Sequence, residues 1–455
     1  MKKIYLLNII LIIILGCSAC QNKEVDYVDE GIHTQTESSK VDMSTGKIKD
    51  KLSVPDSWTE KIDSDKGITI GANIIVPDVS SIKVVEASEF HPSNEDKKQF
   101  IASITSEAVY DYPVAYDEMT KEQLEEYIAY NEDCLKQSSD IMQDNEKEDI
   151  KNTLQELYTY YELAPEEYSL TTDYSSYAYY TKYDNRNVII QFMGGDENTD
   201  IIMRPDDYNV NIESEVYDIV GFQIMNKDIY AENKCKLNED DAIELAYGFV
   251  DKLGYGDFEI VDTYPLACTA YKNNEHELIY NGYTFVMNRK IYGVTVDARD
   301  WTLPHSHPQS EYMSSMSEEY NGWVQWPGYG FEIMYVCVND DGVVYFSYRA
   351  PYKLGEVISS DVNLLSFDRI QNTIREEIIK QEGIYDYKLF NNMELKYVPI
   401  KDEANPGKYS IIPVWILSAG DVYSTSAYVV VNAIDGTIVY MYEQYYEIEF
   451  EKDSD

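Results

Sequence analysis

The stretch AYVVVNAIDGTIVYMYE (427–443) consists of two apolar, alternating segments separated by a turn that ends at Gly436. The stretch YVCVNDDGVVYF (335–346) repeats this pattern around Gly342. An Asp-Gly turn between two alternating segments favours a β-hairpin. We therefore predict antiparallel hairpins at both positions, and their repetition predicts two related structural units.

A helix and further strands precede each hairpin. Asn238 is a natural N-cap for the first helix, which Gly254 closes. The second helix is expected over residues 364–379, where apolar residues recur with helical spacing. The sequence thus predicts an α+β fold with antiparallel sheets each packed on helices, including helix-plus-sheet units at 236–350 and 351–455.

Residues 54–235 are expected to form an N-terminal α+β domain. The chain is 44% hydrophobic and contains 43 tyrosines, which supports a substantial core. Tyrosine suits half-buried strands because its ring packs while its hydroxyl stays wet, but tyrosine-rich surfaces can also bind glycans or peptides. The expected elements are strands at 68–79 and 81–90, helices at 94–106, 119–142 and 147–163, and a tyrosine-rich strand region at 172–205.

The N-terminus carries the features of an export signal. Lys2 and Lys3 precede an apolar run over residues 4–15, which is shorter than the roughly 20 residues of a membrane-spanning helix. The following Ile14-Leu15-Gly16-Cys17 fits a lipobox, and the stretch resembles bacterial lipoprotein signals. We predict a signal peptide at 1–16 and lipidation of Cys17, with Cys20 as the alternative acceptor.

Two acyl chains on Cys17 would anchor the mature protein to the outer, extracytoplasmic face of the cell membrane. Residues 17–53 are then the lipidated N-terminus and a polar, flexible tether. An ordinary cleaved signal or an uncleaved anchor is the alternative interpretation.

The charge of the chain limits its partners. With 82 acidic and 37 basic side chains its formal charge is -45, and removal of residues 1–16, which hold two lysines and no acid, lowers this to -47. Such a surface repels nucleic acid and anionic lipid head groups and favours cationic partners. Nucleic-acid binding is therefore excluded, and the membrane contact is expected to run through the lipid at Cys17.

No recognisable catalytic constellation or cofactor motif is present in the sequence, and no cofactor is expected. Cys134, Cys235, Cys268 and Cys337 are too widely spaced for a metal-binding pattern, although a Cys268–Cys337 disulfide or buried free thiols are both possible. His305 and His307 are weak candidates for zinc ligands, and a solvated loop is the alternative.

Aromatic residues in the segment 301–330 form the candidate ligand surface, since exposed aromatic rings can stack on sugars or peptides. The alternative is a small core beneath a long loop. The residues concerned are Trp301, Tyr320, Trp323, Trp326 and Tyr329.

Two phrases of the C-terminal half, Pro413-Val414-Trp415 and Val431–Gly436, resemble the closing strands of PepSY and YycH/YycI-like exported bacterial domains. That resemblance implies inhibition of a protease or regulation of a partner protein. The whole chain resembles an uncharacterised family of Gram-positive lipoproteins, domain of unknown function 6034, which implies no established activity. The residues that carry this second resemblance are the lipobox, Val54–Thr59, Val76–Asp78 and Leu364–Ile370.

The leading functional hypothesis is a membrane-anchored extracytoplasmic lipoprotein, not an enzyme, that binds or regulates an envelope protein, peptide or glycan. One alternative is an extracytoplasmic hydrolase that uses acidic residues. The other is a lipoprotein that captures substrate for a transporter, which would need two lobes around a cleft.

Overall fold

Two β-sheets dominate the structure, a computed structural model, and six α-helices accompany them in the part of the chain that it describes. The fold is of the predicted mixed α+β type, with antiparallel strand pairs except between β2 and β15. The described residues are 46–113, 115–137, 144–194, 199–206, 217–219, 233, 235–272, 275–297, 332–380, 388–402, 405, 407–419 and 427–443.

The small sheet has eight strands, in the order β1-β2-β15-β16-β17-β18, with β3 paired to the beginning of β16 and β14 paired to β3. Its strands come from both ends of the chain. They are β1 Ser57–Asp63, β2 Ile68–Ile75, β3 Val84–Glu89, β14 Tyr352–Ser359, β15 Leu389–Lys401, β16 Lys408–Ala419, β17 Ala427–Asn432 and β18 Ile438–Glu443.

The large sheet has ten strands, in the order β4-β5-β6-β7-β13-β12-β10-β9-β8, with β11 paired to β10. It uses the middle of the chain. Its strands are β4 Tyr110–Asp111, β5 Ala178–Tyr183, β6 Arg186–Gly194, β7 Thr199–Pro205, β8 Tyr217–Ile219, β9 Asp257–Lys272, β10 Glu275–Ile291, β11 Val294–Thr295, β12 Ile333–Asn339 and β13 Gly342–Arg349.

The helices begin and end at residues with recognisable capping chemistry. Ser93 and Asp96 form a reciprocal capping box at the start of α2. The Asn238 side chain accepts from the Asp241 amide at the start of α5, and Gly254 adopts a left-handed conformation at its end, as predicted. The helices are α1 Ile48–Lys51, α2 Asn94–Ile104, α3 Lys121–Gln137, α4 Asp144–Tyr161, α5 Glu239–Leu253 and α6 Phe367–Lys380.

The sheets and helices form four layers. Along β12, Met334 and Val336 point to a core shared with α2 and α5, while Tyr335 points to the small sheet. Along β16, Ile416 points back to the large sheet, whereas Trp415 packs on α6. Alternate side chains of a strand face opposite sides of its sheet, so the order of layers is helices, large sheet, small sheet, helix.

Both predicted hairpins are present. Strands β12 and β13 pair around Gly342, and β17 and β18 pair around Gly436, and both glycines have positive φ angles of 90° and 80°. The sheets extend beyond the two predicted units, however, because strands from 57–89 complete the small sheet and strands from 110–205 complete the large one. The likeness of these units to PepSY domains therefore stays a prediction.

A buried ionic network connects strands of the large sheet to the segment that follows α5. Arg289 donates to Glu332 through Nε at 2.5 Å and Nη2 at 2.7 Å, and the Tyr348 hydroxyl also donates to Glu332 at 2.5 Å. The Tyr255 carbonyl accepts from Arg289, whose guanidinium lies 4.9 Å from the centre of the Phe258 ring. Burial opposes the charge of Arg289, but Glu332 and Tyr348 outweigh it and raise the pKa of the guanidinium.

No helix among the described residues is both long enough and apolar enough to span a bilayer.

Candidate functional site

The functional residues predicted from the sequence lie outside the described residues. This holds for the lipidation site, for the aromatic surface and for the weak zinc candidates. They are Cys17 and Cys20, then Trp301, Tyr320, Trp323, Trp326 and Tyr329, and finally His305 and His307.

Three cysteines of the described ranges form no disulfide. Cys134, Cys235 and Cys337 are free thiols, so the possible Cys268–Cys337 bridge is absent. Cys268 lies opposite Ile279 of β10, and Cys337 lies opposite Thr284 of the same strand. That offset is about 16 Å along a strand, whereas a disulfide needs Cα atoms within about 7 Å. Nor do these ranges contain a group of three or more His, Cys, Asp or Glu residues arranged to hold a metal ion.

Helices α3 and α4 form a helical hairpin that projects from the edge of the large sheet. It has its own small core, in which Leu124 and Leu157 are fully buried together with Met119. Two tyrosine hydroxyls of α4 donate to carboxylates of α3, Tyr158 to Glu132 at 2.6 Å and Tyr161 to Glu125 at 2.5 Å. The hairpin is therefore a local unit within the fold.

The two ends of the hairpin are fastened together where they leave the sheet. The Lys121 amide donates to the Pro165 carbonyl at 2.9 Å, and the Lys121 ammonium pairs with Glu166. Next to them, the Tyr112 amide donates to the Ala178 carbonyl at 3.0 Å. These bonds join the two ends of the hairpin to each other, and the residue after β4 to the start of β5.

Four half-buried tyrosines form a row at this base, which we call the tyrosine ladder: Tyr110, Tyr180, Tyr168 and Tyr112. The ring centres are 6.4 Å apart from Tyr110 to Tyr180, 4.8 Å from Tyr180 to Tyr168, and 5.8 Å from Tyr168 to Tyr112. Such tilted pairs contribute about 0.5–1.5 kcal/mol each beyond their buried area. The contacts hold the rings in a defined series.

The ladder continues as a row across the large sheet. Tyr110 lies opposite Tyr180, which lies opposite Ile189, which in turn lies opposite Arg204. Residues that pair in this way point to the same face of the sheet. That face is the one opposite α2 and α5, since the neighbouring residue Tyr179 belongs to the core under those helices.

Three carboxylates, which we call the acidic flank, lie beside the ladder. Glu122 and Glu126 are exposed and one turn apart on α3, and Asp206 follows the end of β7. Partial removal from water raises the pKa of Glu126, and the charges of Asp206 and Glu122 raise it further. Burial, and then Asp206, likewise raise the pKa of Tyr168. The charge of Asp206 thus acts on both Glu126 and Tyr168.

Gln123 is the last member of the site. Its side chain is 95% buried, and its Oε1 accepts from the Thr120 amide at 3.1 Å. Its Nε2 is buried. A hydrogen bond between the side chains of Gln123 and Tyr112 opposes the rise in the pKa of Tyr112 that burial causes. Gln123 is therefore a buried support of the ladder.

The ladder, the acidic flank and Gln123 together form what we call the hairpin-base site. Its composition, an aromatic surface with several oxygen acceptors, suits recognition of a ligand. The acidic flank alone does not make a hydrolytic centre, because carboxylate pairs carry little meaning in a chain with 82 acidic residues.

Comparison with known proteins assigns no family to this chain. No family model matches the sequence, and no curated protein is detectably similar to it. Among solved structures, the crystal structure of an uncharacterized protein from Eubacterium rectale ATCC 33656 aligns with a TM-score of 0.40 and 14% identity, over 87% of this chain and 96% of that one. Similarity at this level carries no argument about function.

The sequence analysis did not identify the hairpin-base site. A signal was available, because YDYPVAYD (110–117) brings three tyrosines and two acids together just before an acidic helix. What the sequence does not contain is the contact that brings Tyr168 and Asp206, from distant parts of the chain, to the same place.

Proposed function

We propose that the protein is a lipid-anchored, extracytoplasmic binding protein that recognises a protein, peptide or glycan at the hairpin-base site. The observation that carries the binding role is the tyrosine ladder beside the acidic flank, which combines aromatic surface with polar groups at the edge of the fold. The lipobox at Cys17 supports the anchored location.

The anchoring and the binding site are compatible with each other. The charge of -47 would keep the folded body away from anionic lipid head groups, and the polar segment 17–53 would give it reach. The hairpin projects from the edge of the sheet, so a partner in the envelope would meet it without opening the four layers.

The anchored location is tested by mass spectrometry of the N-terminal peptide from native membranes, in the wild type and in Cys17→Ser. We expect a diacylglycerol-modified Cys17 that the substitution removes. The same modification on Cys20 would move the anchor by three residues and leave the proposal intact. An unmodified N-terminus would contradict the anchored location.

The binding role is tested with the mature protein on peptide and glycan arrays. Tyr168→Ala removes the middle of the ladder, and Tyr292→Ala is the matched control because Tyr292 is 53% exposed in the turn between β10 and β11, outside the hairpin. We expect ligands whose binding is lost in the first variant and kept in the second. Ligands that bind all three proteins equally would place recognition outside this site.

A further inference from the structure

One face of α4 carries an open groove, which we call the α4 groove. Its volume is about 570 Å³, and its lining residues all lie on α4 or directly after its last residue. They recur at intervals of three or four and therefore form one stripe along the helix. The residues of the stripe are Lys151, Leu154, Gln155, Tyr158, Thr159 and Glu162.

The groove faces solvent and not the core of the hairpin. Helix α4 packs mainly against α3 and the short helical turn Tyr116–Glu118, and Leu157 points to that side. Every residue of the stripe except Leu154 is exposed. Tyr158 is 47% exposed although its hydroxyl donates to Glu132. The stripe therefore places an exposed aromatic ring on a helix face that a second molecule can reach.

The two ends of the groove carry opposite charges. Lys151 and Glu162 lie eleven positions apart, about 16 Å along a helix. Neither forms an ion pair or a side-chain hydrogen bond with a residue that the structure describes. Lys121 pairs with Glu166, which is the main cause of its raised pKa, and the charge of Glu162 adds the smallest contribution to that rise. The charges at both ends of the groove are thus available to a partner.

A second copy of α4 complements this stripe. The spacing of the stripe is the same in both directions, so an antiparallel copy related by a twofold axis matches it position by position. Lys151 then lies beside Glu162 of the second copy, and Glu162 lies beside Lys151 of that copy. Between these ends, Gln155 faces Tyr158 of the second copy. Any other helix would need the same charges at the same spacing, whereas a second copy has them by symmetry.

The contact between two copies is expected to be weak. Standard stable interfaces involve about 20–30 residues a side, and the stripe has six. Two chains with a charge of -45 also repel each other, over about 10 Å at 0.1 M salt. A contact at a projecting hairpin keeps the two acidic bodies apart and so limits this repulsion. These features predict a dimer that forms only as concentration rises.

We propose that two copies of the chain associate through the α4 groove, with their α4 helices antiparallel about a twofold axis and Lys151 of each copy paired with Glu162 of the other. The two hairpins then form a bundle of four helices. This inference goes beyond the proposed function and does not depend on the hairpin-base site.

The test is sedimentation equilibrium of the full-length protein in density-matched detergent micelles at physiological ionic strength, over a series of micromolar concentrations. We expect a monomer–dimer equilibrium. Lys151→Glu and Glu162→Lys should each raise the dissociation constant of the dimer about tenfold, because each substitution turns two attractive contacts across the axis into repulsive ones. Lysine and glutamate are both good helix formers, so the hairpin should stay intact, which circular dichroism checks.

Two restorations test the antiparallel arrangement itself. The double variant Lys151→Glu/Glu162→Lys exchanges the two charges, so it should dimerise like the wild type. An equimolar mixture of the two single variants should also dimerise, because one copy then carries two acids in its groove and the other carries two bases. The double variant Glu244→Lys/Lys252→Glu exchanges two exposed charges on α5 and is the matched control, which should change nothing.

Three outcomes would overturn the proposal. The first is a protein that stays monomeric over the whole series. The second is a dimer whose dissociation constant is the same in the wild type and in both single variants, because the chains would then meet through another surface. The third is weakening by both single variants without restoration in the double variant or in the mixture, because the two charges would then not meet across a twofold axis.

Discussion

The buried ionic network around Arg289 and the hairpin-base site are both clusters of aromatic and charged residues, but they differ in how their groups are satisfied. In the network, a cation meets one carboxylate, and side-chain exposure is 5% for Arg289 and 0% for Glu332. In the hairpin-base site, the like charges of Asp206 and Glu122 act on Glu126 and raise its pKa.

This difference separates a structural cluster from a site suited to a ligand. Tyr348 and the Tyr352 amide also donate to Glu332, so the network leaves little for an outside molecule to add. A polar group that is buried and satisfied stabilises the fold, whereas one that is unsatisfied costs free energy until something binds. Whether a buried charged residue stabilises the fold or favours ligand binding therefore depends on whether its partners satisfy it.

The largest expected effect is on the network. Arg289→Leu leaves the Glu332 carboxylate buried without its cation, which should lower the free energy of unfolding by about 3–5 kcal/mol. Urea denaturation followed by circular dichroism measures it. Glu95→Gln breaks the exposed Lys98–Glu95 pair, whose nitrogen and oxygen are 3.9 Å apart, and should change stability by about 0–1 kcal/mol.

The double variant Arg289→Leu/Glu332→Leu sharpens this prediction. It removes both charges, so it should recover much of the lost stability, because the cost of the single variant comes mainly from the uncompensated charge. A double variant as unstable as Arg289→Leu would show that packing around Arg289, including the contact with Phe258, matters more than charge.

The next effect in size concerns the hairpin. Leu157 is fully buried in the small core of α3 and α4, and Leu157→Ala should cost about 2–5 kcal/mol. Because that core is separate from the cores of the two sheets, the loss should appear as local opening. Amide hydrogen exchange should accelerate in α3 and α4 and stay unchanged in β10 and β12. Acceleration throughout would mean that the hairpin unfolds together with the sheets.

The sequence was sufficient where local chemistry decides structure. Gly342 and Gly436 marked two hairpins that form, and Asn238 with Gly254 marked both ends of α5. It was not sufficient for strand partners. Strand β2 pairs in parallel with β15, more than 300 residues later in the chain, and nothing in the periodicity of either strand encodes that choice.

The same reason explains the hairpin-base site. Tyr110 and Tyr112 were visible as a tyrosine-rich, acidic stretch, and tyrosine on a half-buried strand was the expected role. The approach of Tyr168 and Asp206 depends on the tertiary fold, as does the burial of Gln123, which the sequence presents as an ordinary polar helical residue.

The smallest effect tests the repulsion within the acidic flank by its pH dependence. The folded protein raises the pKa of Glu126 above its ordinary 4.5, so the ionised carboxylate destabilises the folded state at neutral pH. As pH falls through the raised pKa, the folded state takes up this proton before the unfolded state does, and the penalty disappears.

Glu126→Gln removes the charge at every pH, so it should stabilise the protein at pH 7 and lose that advantage near pH 4. Since Glu126 is exposed, solvent screening limits the gain to a few tenths of a kcal/mol. Urea denaturation of both proteins at the two pH values measures the difference, and Glu244→Gln serves as control. A gain of the same size at both pH values would reflect helix propensity or packing. A loss at pH 7 would mean that the Glu126 carboxylate is already compensated by a cation, and the contrast with the Arg289 network would then vanish.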